Sequence, residues 1–340
     1  RWYDDNGSYH YLISTTPMVF DIAALQYLYG PAEYNLGDNI YRFNPEIPVV
    51  EAIWDSGGID TINLSAFTKD SILNLVPGSY STLEYSSWKM SDNLGIAHNT
   101  AIENAIGGNG NDQINGNELD NHITGGLGND NINGGSGNDI LDGGPGNDVL
   151  GAGTGDDTID DGLGNDKIDG GSGEDTLKRN FEKDYGAFSF TASIDLGEGI
   201  ISSTAADSTL TDQITNVENV TASGNFDYIL TGSNKNNILK TDLGADTLIG
   251  NGGSDILEGG SGDDTYKYFY DGIATVIDTS GNDTIEIIAK DFSGLRKWGD
   301  GGYWLDNDLI ISPNSETPFK LVIKDDISDK KIEQIKFSLR

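Results

Sequence analysis

Residues 107–178 divide without remainder into eight nonapeptides: GGNGNDQIN, GNELDNHIT, GGLGNDNIN, GGSGNDILD, GGPGNDVLG, AGTGDDTID, DGLGNDKID and GGSGEDTLK. The eighth position is apolar throughout (Ile114, Ile123, Ile132, Leu141, Leu150, Ile159, Ile168, Leu177), and the sixth is Asp everywhere except at Asn121. The first six residues of a unit supply Gly where the chain turns tightly with positive φ, and the last three form a minimal strand with one inward side chain. Two units make one coil with a strand on each face, so strands stack on strands and turns on turns. A solvated Gly/Asn/Asp linker is the bland alternative, but it has no reason to hold eight apolar residues in register.

Stacked turns place the sixth residue of one unit beside that of the unit after next. One row is Asp112, Asp130, Asp148 and Asp166, and the other is Asn121, Asp139, Asp157 and Asp175. Carboxylates spaced about 4.8 Å apart repel unless a cation sits between them. Calcium suits the position because it accepts about six to eight oxygens, and glycine turns offer bare carbonyls beside the carboxylates. The carbonyls on offer belong to Gly108, Gly110, Gly125, Gly126, Gly128, Gly134, Gly135, Gly137, Gly143, Gly144, Gly146, Gly153, Gly155, Gly162, Gly164, Gly170, Gly171 and Gly173. The pattern is that of calcium-binding β-helix nonapeptides.

Composition bounds the rest. The 340 residues carry a formal net charge of −35, which makes nucleic acid and anionic membranes poor partners. There is no cysteine, so metal takes the stabilising role that disulfides fill in other small-core chains. No apolar run is long enough to span a membrane, and no signal-peptide pattern opens the chain. A start at Arg1 suggests a piece or processed form of a longer protein.

Ahead of the array, TTPMVFDIAALQYLYGP reads as a helix: Thr16 as cap, Pro17 in the first turn, Gly30 as stop, and Ile22, Leu25, Leu28 and Tyr29 on one buried face. Here the chain resembles the serralysin-type secreted zinc proteases of bacteria, whose catalytic domain ends in a helix like DIAALQYLYG followed by a calcium β-roll. The resemblance runs on through GDNIYRF (37–43), AIWDSGGIDTINLSAF (52–67) and AIENAIGGNGND (101–112). It implies further calcium ligands near Asn35, Gly37 and Asn39, facing Asp55, Gly57, Gly58 and Asp60, and another at Glu103. It does not extend to the catalytic motif. The only histidines are His10, His98 and His122, with no HExxH among them, so no zinc site is expected within the chain. Residues 61–100 alternate like strands laid on the side of the roll, with Trp54 and Trp88 read as core.

A second cycle follows. EDTL at 174–177 echoes IDTI at 59–62, and VENV at 217–220 echoes IENA at 102–105, both at an offset of 115. The second array reads as residues 222–267 with one residue inserted near Lys240 and Ile229, Ile238, Leu248, Leu257 and Tyr266 inward. Its candidate ligands are Glu218, Asp227, Gly244, Asp246, Asp255, Gly262 and Asp264. Residues 268–340 read as strands of the closing piece that a solenoid needs over its open edge, resembling the end domain of RTX (repeats-in-toxin) proteins. Trp298, Tyr303 and Trp304 are read there as cap core rather than a sugar platform. Lys320, Lys324, Lys330, Lys331 and Lys336 are read as a solvated face.

The expected fold is therefore all-β: a parallel β-roll in two successive modules, one short N-terminal helix and a β-rich C-terminal cap. The expected divisions are 1–33 (tail of an upstream, protease-like domain), 34–178, 179–267 and 268–340. About six to nine calcium ions are expected. The resemblance implies a type I-secreted bacterial protein, folding outside the cell with calcium and using the type I secretion apparatus during export. The first functional reading is the calcium-folded C-terminal region of a serralysin-like protease, and the second a non-enzymatic RTX adhesin or surface-layer protein at the cell surface. Hydrolysis by the Asp rows themselves is set aside, because carboxylates neutralised by calcium are not a poised acid–base pair. The ending KFSLR does not match the acidic-then-apolar signal of serralysins.

Overall fold

Within the first array, strands pair in parallel with their partners 18 residues away. On one face Ile62, Ala105, Ile123, Leu141 and Ile159 lie opposite one another in turn, and on the other Leu73, Ile114, Ile132, Leu150 and Ile168 do so. All eight predicted inward residues of the array are at most 2% exposed. The computed structural model describes residues 2–4, 9–10, 14, 16–30, 32–180, 191–205, 208–269, 272–289, 304–305, 308–311, 320–325 and 334–339. Trp298, Tyr303, Lys330 and Lys331 lie outside them; Trp304, Lys320, Lys324 and Lys336 fall on strands. The described residues are β-strand and turn apart from one helix, and no helix is long and apolar enough to cross a membrane.

The chain forms two compact units, Arg1–Gly173 and Glu174–Arg340. In the first, a small sheet of Glu51–Ile53, Tyr80–Ser81 and Leu94–Ile96 accompanies the coils. Its neighbour is a small core of Val19, Ile22, Ala52 and Ala97, against which Trp54 and Tyr80 pack. Trp88 is half-buried on the strand Trp88–Lys89.

The helix differs from its expectation. It spans Val19–Tyr29, with Met18 as N-cap and Gly30 (φ 81°) at its end. Asp21 rather than Thr16 serves the N-terminus, accepting the Met18 N–H at 3.1 Å. Thr16 is engaged elsewhere, its hydroxyl accepting the Ala52 N–H at 2.9 Å. Leu25, Leu28 and Tyr29 are 44%, 68% and 83% exposed. Helical spacing says which residues share a face, and only Val19 and Ile22 of this face reach a core.

In the second unit Leu177, Val220, Leu239, Leu257 and Val276 succeed one another on one face. Ile194, Leu230, Leu248, Tyr266 and Ile285 do so on the other. The inward residues near the start are thus Leu230 and Leu239, both fully buried, and not Ile229 and Ile238; Ile229 is 39% exposed. Counted back from Leu248 in nines, residues 223–267 are five unbroken nonapeptides, and no insertion falls near Lys240. The extra residue lies instead between Asn219 and Tyr228. Adjacent apolar pairs, Ile229–Leu230 and Ile238–Leu239, left the phase open by one.

Residues 179–221 supply Thr191–Asp195, Ile200–Ala205 and Ser208–Thr215, an antiparallel run whose first strand lies parallel to Asp227–Thr231. Beyond the array the parallel ladder continues: Gly272–Ser280 pairs with Gly253–Ser261, and Thr284–Ala289 with Thr265–Phe269. Lys320–Asp325 and Gln334–Leu339 add one further strand to each face. The antiparallel strand Asp308–Ile311 then lies against Lys320–Asp325.

Candidate metal centre

The sixth-position residues stack as the period requires. In the first unit Asp112, Asp130 and Asp148 each donate their backbone N–H to Oδ1 of the Asp 18 residues on (Asp130, Asp148, Asp166), at 2.7 Å. The second row repeats the bond from Asn121 to Asp139 and from Asp139 to Asp157, again at 2.7 Å. One carboxylate oxygen therefore holds the adjacent coil. The other, Oδ2, is buried and without a hydrogen-bond partner in Asp130, Asp139 and Asp148.

Glycine makes room for that second oxygen. A Cβ on Gly125, Gly134 or Gly143 would lie 2.5, 2.4 or 2.7 Å from Oδ2 of Asp130, Asp139 or Asp148. A buried anionic oxygen with nothing to accept from is costly. Burial, ahead of neighbouring carboxylates, pushes the carboxyls of Asp130, Asp139 and Asp148 up to about 7. A hard divalent cation among oxygens of this kind supplies the missing counter-charge, so the donor set fits calcium. Asp112, at the head of its row, is satisfied from within: Oδ1 accepts the Ser71 N–H at 2.6 Å and Oδ2 the Gly108 N–H at 2.7 Å.

The turns themselves approach closely. Gly126 (φ 112°) would carry a Cβ 2.1 Å from the Gly108 carbonyl oxygen, and Gly128 (φ 120°) one 2.1 Å from that of Gly110. Outside the carboxylate rows the fifth-position side chains form a second ladder, which the sequence reading did not foresee. Oδ1 of Asn111, Asn129 and Asp120 accepts the N–H of Asn129, Asn147 and Asn138 at 2.7 Å. These bonds run opposite in direction to those of the sixth position. The recurrence of Asn and Asp at the fifth position was the available signal.

Ahead of the first array the structure gathers a separate cluster. Asp60 Oδ1 accepts the Asn39 N–H at 2.8 Å, and Glu103 Oε2 accepts the Asp60 N–H at 2.8 Å. Asp55 accepts the Gly57 N–H at 3.1 Å and the Asn39 side-chain amide at 3.3 Å. A Cβ on Gly58 would touch the Gly37 carbonyl oxygen at 2.5 Å. Asn35 reaches the cluster through Tyr41: its amide donates to the Tyr41 hydroxyl at 3.1 Å, which donates to Asp55 Oδ2 at 2.5 Å. No spacing signal pointed to Tyr41. Burial, then the charges of Asp55 and Glu103, lifts the Asp60 carboxyl to about 6.

The second unit repeats the motif with changes. Asp175 donates its N–H to Glu218 Oε2 at 3.1 Å, while Glu218 Oε1 pairs with the Lys235 ammonium at 2.6 Å. The position-six residues are Tyr228 and Asn237, then Asp246, Asp255 and Asp264. Tyr228 and Asn237 donate to Asp246 and Asp255 at 2.7 and 2.9 Å. Asp227 is thereby corrected: it belongs to the outer ladder, accepts the Ala245 N–H at 2.8 Å, and is exposed. Gly244 and Gly262 continue the close turn stacking, with a Cβ 2.0 Å from Phe226 O and 1.4 Å from Gly244 O.

Residues 38–188 match the family model described as Peptidase M10 serralysin C terminal, and residues 231–266 match the RTX calcium-binding nonapeptide repeat. Serralysin of Proteus mirabilis is 38% identical over 134 residues, 36% of this chain and 26% of that protein. Metallopeptidase AprA of Pseudomonas marginalis is 42% identical over 121 residues, and serralysin C of Dickeya chrysanthemi 37% over 122; each match covers 32% of this chain and 24% of the relative. The chain thus spans about a quarter of the length of these curated relatives. The two matches fall on the two stacked nonapeptide arrays, in keeping with a calcium-binding β-roll.

Proposed function

We propose that this chain is a calcium-driven folding module of a secreted bacterial protease: unfolded where calcium is scarce, folded where it is plentiful. The supporting observation is the set of buried aspartate oxygens, Oδ2 of Asp130, Asp139 and Asp148, held without partners in glycine cradles. Asp130, Asp148 and Asp166 hold ions in one row, and Asp139 and Asp157 in the other, with glycine carbonyls of the turns. Asp55, Asp60, Asn39 and Glu103 hold one more, and Asp246, Asp255 and Asp264 serve the second array. At calcium ten times its dissociation constant a site contributes about 1.4 kcal/mol, or roughly 8 kcal/mol over six sites. That equals the stability of a whole domain.

In this reading residues 1–33 end an upstream catalytic domain, 34–178 and 179–267 are the two modules, and 268–340 close the stack. The unfolded state suits passage through a type I secretion channel. A non-enzymatic surface role is favoured by one feature, the second coil array in residues 223–267, and an HExxH segment upstream of Arg1 in the full-length protein decides for the protease. Far-UV circular dichroism of the chain with calcium and with EDTA tests the switch. A β spectrum in calcium and a largely unfolded one in EDTA are expected, and an unchanged spectrum refutes it.

A further inference from the structure

The second array ends in an irregularity. Asp264 donates its backbone N–H to Asp283 Oδ1 at 2.9 Å, a step of 19 residues where the earlier position-six steps of this array are 18. Its own Oδ1 accepts the Asp246 N–H at 2.8 Å, and its buried Oδ2 has no hydrogen-bond partner. Gly259 opens the space in front of that oxygen: a Cβ there would stand 2.4 Å from Asp264 Oδ2 and 2.2 Å from the Tyr266 hydroxyl. The same hydroxyl accepts the Gly259 N–H at 3.0 Å and donates to Asp278 Oδ2. The free oxygen of Asp264 and the carboxylate of Asp278 thus meet around one tyrosine.

Asp278 comes from the strand Gly272–Ser280, and Asp283 from the turn before Thr284–Ala289. All three aspartates are buried, at 1%, 8% and 3% exposure for Asp264, Asp278 and Asp283. One carboxylate oxygen from each lies within 4.8 Å of the other two. Two oxygens on a single calcium ion lie at most about 5 Å apart, twice the bond length of about 2.3–2.6 Å. Three buried negative charges so close together need a counter-charge.

We propose that Asp264, Asp278 and Asp283 form a further calcium site, built from one repeat residue and two residues outside the repeats, with Tyr266 as the positioning residue that orients Asp278. The proposal rests on the reading that the aspartate rows bind calcium. It differs from a row step in charge: three carboxylates converge where a row step offers two. Affinity in oxygen-ligand calcium sites rises with ligand charge, so this site fills at a lower calcium concentration than a row step. Tyr266 occupies an inward position that is aliphatic in every unit of the first array, and its hydroxyl gives the exchange a purpose.

The test is equilibrium calcium binding to the full chain, by flow dialysis, for wild type, Asp278→Asn and the row variant Asp139→Asn. Asp278→Asn is expected to lose one equivalent from the tightest class, and Asp139→Asn to lose weaker equivalents and keep the tightest. An Asp278→Asn protein with the wild-type number of ions and the wild-type tightest class overturns the proposal while leaving the rows standing. A wild type that binds no calcium overturns both readings. A second measurement avoids dependence on Asp278→Asn folding: terbium titration with excitation of tyrosine. In wild type the equivalents that bind before the row steps are expected to emit, and Tyr266→Phe is expected to lose part of that emission. Equal emission from those equivalents in both proteins refutes the site.

Discussion

Replacing Asp148 by Asn separates the hydrogen bond this residue makes from the charge it carries. Asp148 Oδ1 accepts the Asp130 N–H at 2.7 Å, and an asparagine oxygen keeps that bond. Asparagine is already native to the sixth position at Asn121, where Oδ1 accepts the Asn117 N–H of its own turn at 2.8 Å and the side-chain amide donates to the Glu103 carbonyl at 3.0 Å. What Asn removes is the second oxygen, shared by the two steps that flank Asp148. In calcium at ten times the dissociation constant, two lost sites amount to about 3 kcal/mol of destabilisation. Without calcium the sign reverses. Burial, then the charge of Asp130, lifts the Asp148 carboxyl from 3.8 to about 7, so its ionised form costs the apo fold up to roughly 4 kcal/mol at pH 8. Asn relieves that cost. The assay is urea unfolding followed by circular dichroism at pH 8, in calcium and in EDTA, the latter with an excluded osmolyte to hold the apo fold. Destabilisation of similar size in both conditions would show that the carboxylate acts as a packing or hydrogen-bonding group, and the charge-cancellation argument would fail.

Three further outcomes follow from the same geometry. Asp130, Asp139 and Asp148 have folded-state values near 7, above their unfolded values, so the apo fold binds more protons than the unfolded chain between about pH 4 and 7 and loses stability as pH rises through that window. EDTA-treated protein is expected to show more β signal at pH 5 than at pH 8, and the reverse order contradicts this. Gly126→Ala places a methyl 2.1 Å from the Gly108 carbonyl oxygen at φ 112°; a loss of at least about 2 kcal/mol in calcium is expected by urea unfolding. Leu230→Ala is expected to cost about 2–5 kcal/mol and Ile229→Ala less than about 1, and equal effects would reject the phase of the second array.

Where the sequence repeats strictly, it also reveals the fold. The eight inward residues of the first array and both aspartate rows within the first unit follow from a period of nine and one hydrogen-bonded contact between coils. Where the repeat weakens, two phases compete. Ile229–Leu230 and Ile238–Leu239 satisfy either, and only pairing with Leu248 and Leu257 chooses between them, which is tertiary information. Asp227 was misplaced for the same reason. Tyr41, Asp278 and Asp283 were illegible because they join their clusters across long sequence separations or an irregular 19-residue step. The helix shows the opposite failure: local spacing identified its apolar face, but Leu25, Leu28 and Tyr29 have no core beneath them.

The paired ladders of the turns carry a consequence for chain length. In the regular stretch of the first array, Asp130 and Asn129 each find their turn partners 18 residues away, on both sides. Excising 18 residues from that stretch rejoins every group to an equivalent mate. Excising nine transfers all later strands to the opposite face and seats Asn121 opposite residues of the wrong column. Growth and shrinkage of such a molecule are therefore quantised in whole coils, and viable natural length variants should differ by even numbers of nonapeptides.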